Sequence, residues 1–181
     1  MNLAKLPYQD EKQDLHVVVE TPRGSHTKIA YDPERELFRY SRPLVLGVTY
    51  PYDWGFVPST VAPDGDPLDA LIYHDGTSFP GLVIACKPIG LVELSQAVVK
   101  DGRASSERQS NDRLIVVPAE DERARDATLF SPRVRQELEQ FFLLATLLTP
   151  KDPRIEGWKG PEVAAKLVAD AHAAYRRKEA T

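Results

Sequence analysis

The sequence has very little cysteine and no long hydrophobic run. Cys86 is the only cysteine in 181 residues, so the chain cannot form an intrachain disulfide. A lone thiol is typical of a protein in a reducing compartment. The opening segment MNLAKLPYQDEK lacks the apolar core of a signal peptide, and no stretch reaches the roughly 20 apolar residues that a membrane-spanning helix needs. These absences predict a cytoplasmic protein with no membrane partner.

The chain also lacks an excess of positive charge. Its formal net charge is −4 at pH 7. Proteins that bind nucleic acid usually carry a basic surface, so we expect no nucleic-acid partner here. An acidic chain that binds a small anion must do so through a local cluster of basic side chains or through bound cations.

What the sequence does have is the composition of one globular domain, which we assign to residues 1–181. Hydrophobic residues make up 42% and charged residues 28%. Strand-like segments come first, at 15–20, 26–32, 36–42, 68–74, 82–94 and 113–118. Helical patterns come last, one after the Ser131-Pro132 pair and one from near Pro161. This order predicts an α+β fold in which helices flank a small barrel or curled sheet.

Two segments do not match a regular strand pattern. The stretch YPYDWGFVPST, residues 50–60, is rich in aromatic residues and proline, which predicts irregular structure or a short edge strand. The polar stretch 95–112 predicts a mobile loop. Arg103 and Arg108 in that loop could close over a substrate, although a solvated loop is the simpler interpretation.

The segment APDGDPLDALIYHDG, residues 62–76, crowds three carboxylates around one turn. Asp-Gly and Pro67 would by themselves explain a surface turn. Asp64, Asp66 and Asp69 are more than a turn needs, and they repel one another unless water, a basic partner or a hard cation such as Mg²⁺ compensates. The spacing does not fit an EF-hand loop. An Asp-x-Asp phosphatase signature usually follows a buried strand, which the preceding STVAP is not.

DGDPLDAL resembles the Asp-x-Asp-Pro-x-Asp signature of the soluble family I inorganic pyrophosphatases. Other segments fall in that family's order and near its spacing, namely VVVETP, TKIAYD, SRP, YPYDWGFVPST, CKPIGLVEL, RLIVVP, EQFF and IEGWKGPEVAAK. The resemblance therefore covers nearly the whole chain. It implies the family fold, a five-stranded OB-like β-barrel with flanking helices, and a homo-oligomer, since bacterial members are commonly hexamers.

The resemblance also implies a reaction, the Mg²⁺-dependent hydrolysis of inorganic pyrophosphate to phosphate. Mg²⁺ ions would neutralise the small anionic substrate and lower the pKa of the attacking water. Asp64 and Asp69 would bind the metal pair at that water. Asp66 would assist there and accept the proton, and Glu20 would help to hold the metals that arrive with the substrate. Phosphate oxygens would be contacted by Lys28, Arg42 and Tyr50.

Several positions depart from the family pattern. At five positions the family has Glu, Tyr, Asp, Tyr and Lys, and this chain has, in the same order, Ala30, Trp54, Asn111, Ala145 and Thr146. These five residues lack the charge or the phenol of their family counterparts. A family lysine is replaced by Arg113, which can donate to phosphate in its place and which we include among the substrate-binding residues. Removing one charged hydrogen bond to a phosphate weakens binding by roughly 1.5–3 kcal/mol. The pattern thus indicates that the metal-binding aspartates and the phosphate-binding residues on one wall of the site are present. On the opposite wall, the second wall, most of the family's binding residues are missing.

Four functions are compatible with these features. The first is a pyrophosphatase with a rearranged second wall. The second is a homologue acting on another phosphoanhydride or phosphoester, for which the small Ala145 and Thr146 would leave room. The third is a non-catalytic relative that binds metal or phosphate, and the fourth is an OB-type nucleic-acid module, which the negative charge disfavours. The intact aspartate trio favours the first.

Overall fold

The structure is a computed structural model that describes residues 1–180. Nine strands and two α-helices lie in this range. They are β1 (Leu15–Thr21), β2 (Thr27–Asp32), β3 (Leu37–Pro43), β4 (Asp53–Val57), β5 (Leu68–Ile72), β6 (Val83–Lys100), β7 (Arg103–Ser110), β8 (Arg113–Pro118), α1 (Pro132–Leu144), β9 (Arg154–Lys159) and α2 (Pro161–Glu179).

Five strands close into a ring. β1 pairs antiparallel with β4 and with β6, β4 pairs antiparallel with β5, and β6 pairs antiparallel with β8. The parallel pair β5–β8 completes the ring. β6 is 18 residues long and also pairs with β7 and β9, while β2 and β3 form a separate two-stranded sheet. The predicted α+β fold with a five-stranded barrel corresponds to this ring.

The two helices bury apolar faces against the sheet. Leu138, Phe141 and Phe142 of α1 belong to a core cluster with Trp54, Leu71 and Ile115. Ala164, Val168 and Ala171 of α2 pack in a second cluster with Leu15, Val17 and Val19. Within residues 1–180, no helix combines the length and apolar character that a membrane crossing requires.

The structure corrects two sequence predictions. Residues 53–57, expected to be irregular or an edge strand, form β4, which is buried at all five positions and paired on both sides. Most of the segment 95–112, expected to be a mobile loop, belongs to the antiparallel hairpin of β6 and β7. The polar sequence of β7 is compatible with a strand because β7 is mostly exposed and is held by backbone pairing with β6. Side-chain contacts across the hairpin add to this, such as the hydrogen bond that Lys100 Nζ donates to Glu107 Oε2 (2.8 Å).

β1 carries an extra residue where it faces β4. Val19 lies opposite Gly55 and Thr21 lies opposite Trp54, so Glu20 between them forms a β-bulge. Bulges bend a strand and change the direction of its side chains, and they recur beside active sites. The two strands approach closely here, because a Cβ built on Gly55 would lie 2.0 Å from a backbone oxygen of β1. Only glycine fits at this position.

Candidate active site

One cavity, of about 240 Å³, collects most of the predicted site residues. Its walls come from β2 to β5, from β8 and from α1 and the loop that follows it. Seven of the eight predicted residues line it, namely Lys28, Arg42, Tyr50, Asp64, Asp66, Asp69 and Arg113. Three carboxylates and several cationic side chains therefore face the same space.

The acidic side of the cavity is built by a tight turn that leads into β5. Gly65 has a φ of +90°, which glycine adopts readily, and the amide of Ala62 donates to the carbonyl of Asp66 (2.8 Å). The amide of Asp66 in turn donates to Asp64 Oδ1 (3.3 Å). Burial and the nearby charges of Asp66 and Asp69 raise the pKa of Asp64. The three aspartates are thus close enough to repel one another.

The basic side comes from the two-stranded sheet. Lys28 of β2 lies directly opposite Arg42 of β3. Like charges in directly opposed positions destabilise an antiparallel pair, so this pairing favours an anion between or above them. Tyr50 is almost fully buried beside them and packs edge-on against Phe141, with ring centroids 5.0 Å apart. Burial raises the pKa of Tyr50 to about 12, so its phenol stays protonated.

Arg113 contacts the acidic side of the cavity. The parallel register that places Ala70 opposite Leu114 brings Asp69 and Arg113 side by side. Arg113 Nη1 donates to Asp69 Oδ2 and to Asn111 Oδ1, the latter at 2.8 Å. Arg113, predicted to bind phosphate, therefore contacts a predicted metal ligand in this structure. A guanidinium has five N–H donors, so donation to a phosphate need not break this contact.

Glu20 lies beside the cavity and does not line it. It is 9% exposed, and its Oε1 accepts a hydrogen bond from the Tyr31 amide (2.7 Å). Burial raises the pKa of Glu20 to about 7, and the charges of Asp69 and Asp66 act in the same direction, while the Tyr31 amide and Lys28 oppose them. Of the eight predicted residues, Glu20 is thus the one that the structure keeps out of the cavity wall.

The buried carboxyl of Glu20 makes the stability of the metal-free protein depend on pH. The folded state holds the Glu20 proton more tightly than the unfolded state, so the free energy of unfolding falls as pH rises from about 4.5 to about 7. This difference in pKa corresponds to about 3 kcal/mol. Glu20→Gln removes the titration and keeps an oxygen for the Tyr31 amide. We expect the variant to be more stable than the native protein at pH 8, by up to about 3 kcal/mol, and close to it at pH 4.5.

Urea unfolding in the presence of a chelator measures this difference. Glu34→Gln is a matched control, because Glu34 is exposed and the same substitution there should leave the pH profile of the native protein unchanged. Parallel profiles for the native protein and Glu20→Gln would contradict the assignment of this pH dependence to Glu20.

The donor set is chemically suited to Mg²⁺. Carboxylate oxygens are the ligands that hard cations prefer. Burial and then the charges of Asp66 and Asp69 raise the pKa of Asp64, and a bound cation would neutralise those charges. Across residues 1–180, however, no three His, Cys, Asp or Glu side chains already converge on one point. The cation that Asp69 contacts instead is Arg113. The chemistry of these side chains fits Mg²⁺, while Arg113 competes with the metal for Asp69.

One cation of the cavity is not predicted by the sequence pattern. Lys151, in the loop after α1, lines the cavity in the same region as Ala145 and Thr146. The second wall, on which the sequence predicts that most binding residues are missing, therefore carries a charge. Burial lowers the pKa of Lys151, and the nearby charge of Lys28 acts in the same direction. The only sequence feature that singles out Lys151 is its position between two prolines in TPKDP. Helix or strand periodicity cannot predict that a loop residue lines a cavity.

Comparisons with known proteins identify a family for this chain. The family model described as inorganic pyrophosphatase matches residues 17–176. The inorganic pyrophosphatase of Synechocystis is 32% identical over 179 residues, which cover 97% of this chain and all of the relative. A crystal structure of the inorganic pyrophosphatase from Thermus thermophilus superposes with a TM-score of 0.85 at 32% identity, covering 97% of this chain and 99% of that one. A Helicobacter pylori inorganic pyrophosphatase superposes with a TM-score of 0.82 at 27% identity, covering 95% and 99%. This chain belongs to the inorganic pyrophosphatase family.

Proposed function

We propose that this protein hydrolyses inorganic pyrophosphate to two phosphates in a Mg²⁺-dependent reaction. The observation that carries the proposal is that three aspartates and the cationic side chains of Lys28 and Arg42 line the same cavity. A cavity of this kind can hold both a small, highly charged anion and the cations that compensate it. Family membership supports the same reaction, since the relatives named above are inorganic pyrophosphatases.

The metal would be held by carboxylates. Asp64 and Asp69, with Asp66 beside them, would coordinate Mg²⁺, and Glu20 would assist from its position behind the cavity wall. When bound, Mg²⁺ would neutralise the pyrophosphate and lower the pKa of the attacking water. Asp66 is the most exposed of the three aspartates and would accept the proton.

The substrate would be held by donors on the other walls. Lys28 and Arg42 would donate to phosphate oxygens through charge-assisted hydrogen bonds, and the phenol of Tyr50 would add a neutral donor. Arg113 would donate from the side of Asp69. The water oxygen forms the new bond to phosphorus, the bridging P–O bond breaks, and the leaving group is a second phosphate.

The proposal also covers features that rest on family membership and sequence alone. We take the chain as one domain in the cytoplasm, and as a homo-oligomer. Light scattering on the purified protein measures the number of chains in each particle, and a monomer would contradict the proposed homo-oligomer.

The direct test is phosphate release from pyrophosphate. We expect turnover with Mg²⁺, and loss of turnover when a chelator removes the metal. Tripolyphosphate, a nucleoside triphosphate and a phosphomonoester serve as comparison substrates under the same conditions. A higher kcat/KM for one of these would move the assignment to another phosphoanhydride or phosphoester, for which Ala145 and Thr146 leave space in the wall. Absence of turnover on every substrate would identify a non-catalytic relative.

A further inference from the structure

The loop that follows α1 places a positive charge in a wall that otherwise offers neutral side chains. Lys151 lines the cavity together with Thr146 and Thr149. Burial disfavours its charge, the nearby Lys28 and Arg113 add repulsion, and the carboxylates of Asp69 and Asp64 offset this in part. A partly buried lysine among like charges is unfavourable unless an anion compensates them. Lys28, Arg113 and Lys151 all line the cavity that such an anion would occupy.

The backbone at Lys151 is held by the hairpin of β6 and β7. The carbonyl of Lys151 accepts a hydrogen bond from the amide of Ala97 in β6 (2.7 Å). The next residue, Asp152, has a φ of +42°, an uncommon conformation for a residue other than glycine. This loop conformation therefore depends on contacts with the hairpin.

Arg108 of β7 supplies most of those contacts. Its Nη1 donates to Asp152 Oδ2 (2.9 Å) and its Nη2 to the Asp152 carbonyl (2.8 Å). Its Nε and Nη2 also donate to the Ser95 hydroxyl (3.1 Å) and carbonyl (3.0 Å). The guanidinium thus joins β6, β7 and the loop beside Lys151. Because its donors are engaged here, Arg108 is not placed to close over a substrate, the role considered for it from sequence.

We propose that Lys151 is a phosphate-binding residue of the cavity, and that Arg108 is the positioning residue that holds it through Asp152. The inference rests on the proposed function in one respect, that the ligand is a pyrophosphate-like anion. It assigns a role to the β6–β7 hairpin, which does not line the cavity but holds the loop that carries Lys151.

Binding of methylenediphosphonate with Mg²⁺, measured by calorimetry, tests whether Lys151 binds phosphate. This anion resembles pyrophosphate and is not hydrolysed, so the result stands whether or not the protein turns over pyrophosphate. We expect Lys151→Gln to weaken binding by about tenfold to a hundredfold, the effect of losing one charged hydrogen bond. Lys151→Arg should recover part of the loss. Binding unchanged in Lys151→Gln would overturn the role of Lys151.

A double-mutant cycle tests whether Arg108 positions Lys151. We expect Arg108→Gln to weaken binding in the native background and to have no further effect in the Lys151→Gln background. Asp152→Asn breaks the same ion pair from the other side, suits the positive φ, and should behave in the same way if Arg108→Gln folds poorly. Arg103→Gln is the control, since Arg103 is exposed at the start of the same strand.

The cycle separates positioning from a general structural role. A loss of the same size in both backgrounds would show that Arg108 acts independently of Lys151, and would overturn the positioning role. Native binding by both Arg108→Gln and Asp152→Asn would overturn it as well. A lower melting temperature accompanied by the expected non-additive binding leaves the proposal in place, because the two measurements report different properties.

Discussion

Replacing Asp66 with asparagine is expected to lower the rate of pyrophosphate hydrolysis by about 10²- to 10⁴-fold, the range typical of losing a general base. Asp66 is exposed at the cavity, and the turn that carries it is held by its backbone groups, which the substitution keeps. The variant should therefore fold and melt like the native protein. Phosphate release at saturating pyrophosphate and Mg²⁺ measures the effect on kcat.

Asp101→Asn is the matched control for this substitution. Asp101 lies in the turn between β6 and β7, is exposed, and has a φ of +51°, which asparagine tolerates. The same loss of one carboxylate there should leave kcat unchanged. If Asp66→Asn retained activity within a few-fold of the native protein, Asp66 would not be the proton acceptor.

Replacing Gly55 with alanine is expected to have the largest effect on stability. The added Cβ would lie 2.0 Å from a backbone oxygen and 2.8 Å from a backbone carbon of Val18 in the neighbouring strand. Backbone atoms cannot rotate away, so β1 and β4 would have to separate beside Glu20. We expect the free energy of unfolding to fall by about 3 kcal/mol or more, at the upper end of overpacking effects. Urea unfolding measures the loss.

Gly157→Ala separates this steric effect from a general effect of replacing glycine in a strand. Gly157 lies in β9, where a Cβ would meet only a side-chain oxygen of Glu93 at 3.4 Å, an ordinary contact. The change there should alter stability by less than about 1 kcal/mol. Similar losses in both variants would mean that the close approach of β1 and β4 does not limit residue 55.

Much of the fold follows from local sequence pattern. Alternation and β-branched residues predict β1 and the β2–β3 pair, and the Ser131-Pro132 pair predicts the start of α1, where the Ser131 hydroxyl accepts from the Val134 amide. The errors occur where pairing outweighs composition. β4 has the aromatic and proline-flanked sequence of an irregular segment, yet it is buried between two strands. β7 is polar, because it pairs with the part of β6 that extends beyond the ring.

The site shows the same division. Asp64, Asp66 and Asp69 are neighbours in the chain, so their proximity can be predicted from sequence. The contact between Asp69 and Arg113 depends on the parallel register of β5 and β8, which no local pattern specifies. Lys151 depends on the path of a loop that the distant hairpin holds in place, and that information appears only in the folded structure.

If Glu20 helps to hold the metal, as proposed, the bulge at Glu20 sets stability against function at a single residue. β1 would pair more regularly with β4 if Glu20 were deleted, and at neutral pH the fold would also lose an unfavourable buried carboxyl. Laboratory evolution that selects only for resistance to heat should therefore tend to delete or neutralise residue 20. Selection for phosphate release should keep it. The extra residue is thus a point at which the two selections favour different sequences from the same starting chain.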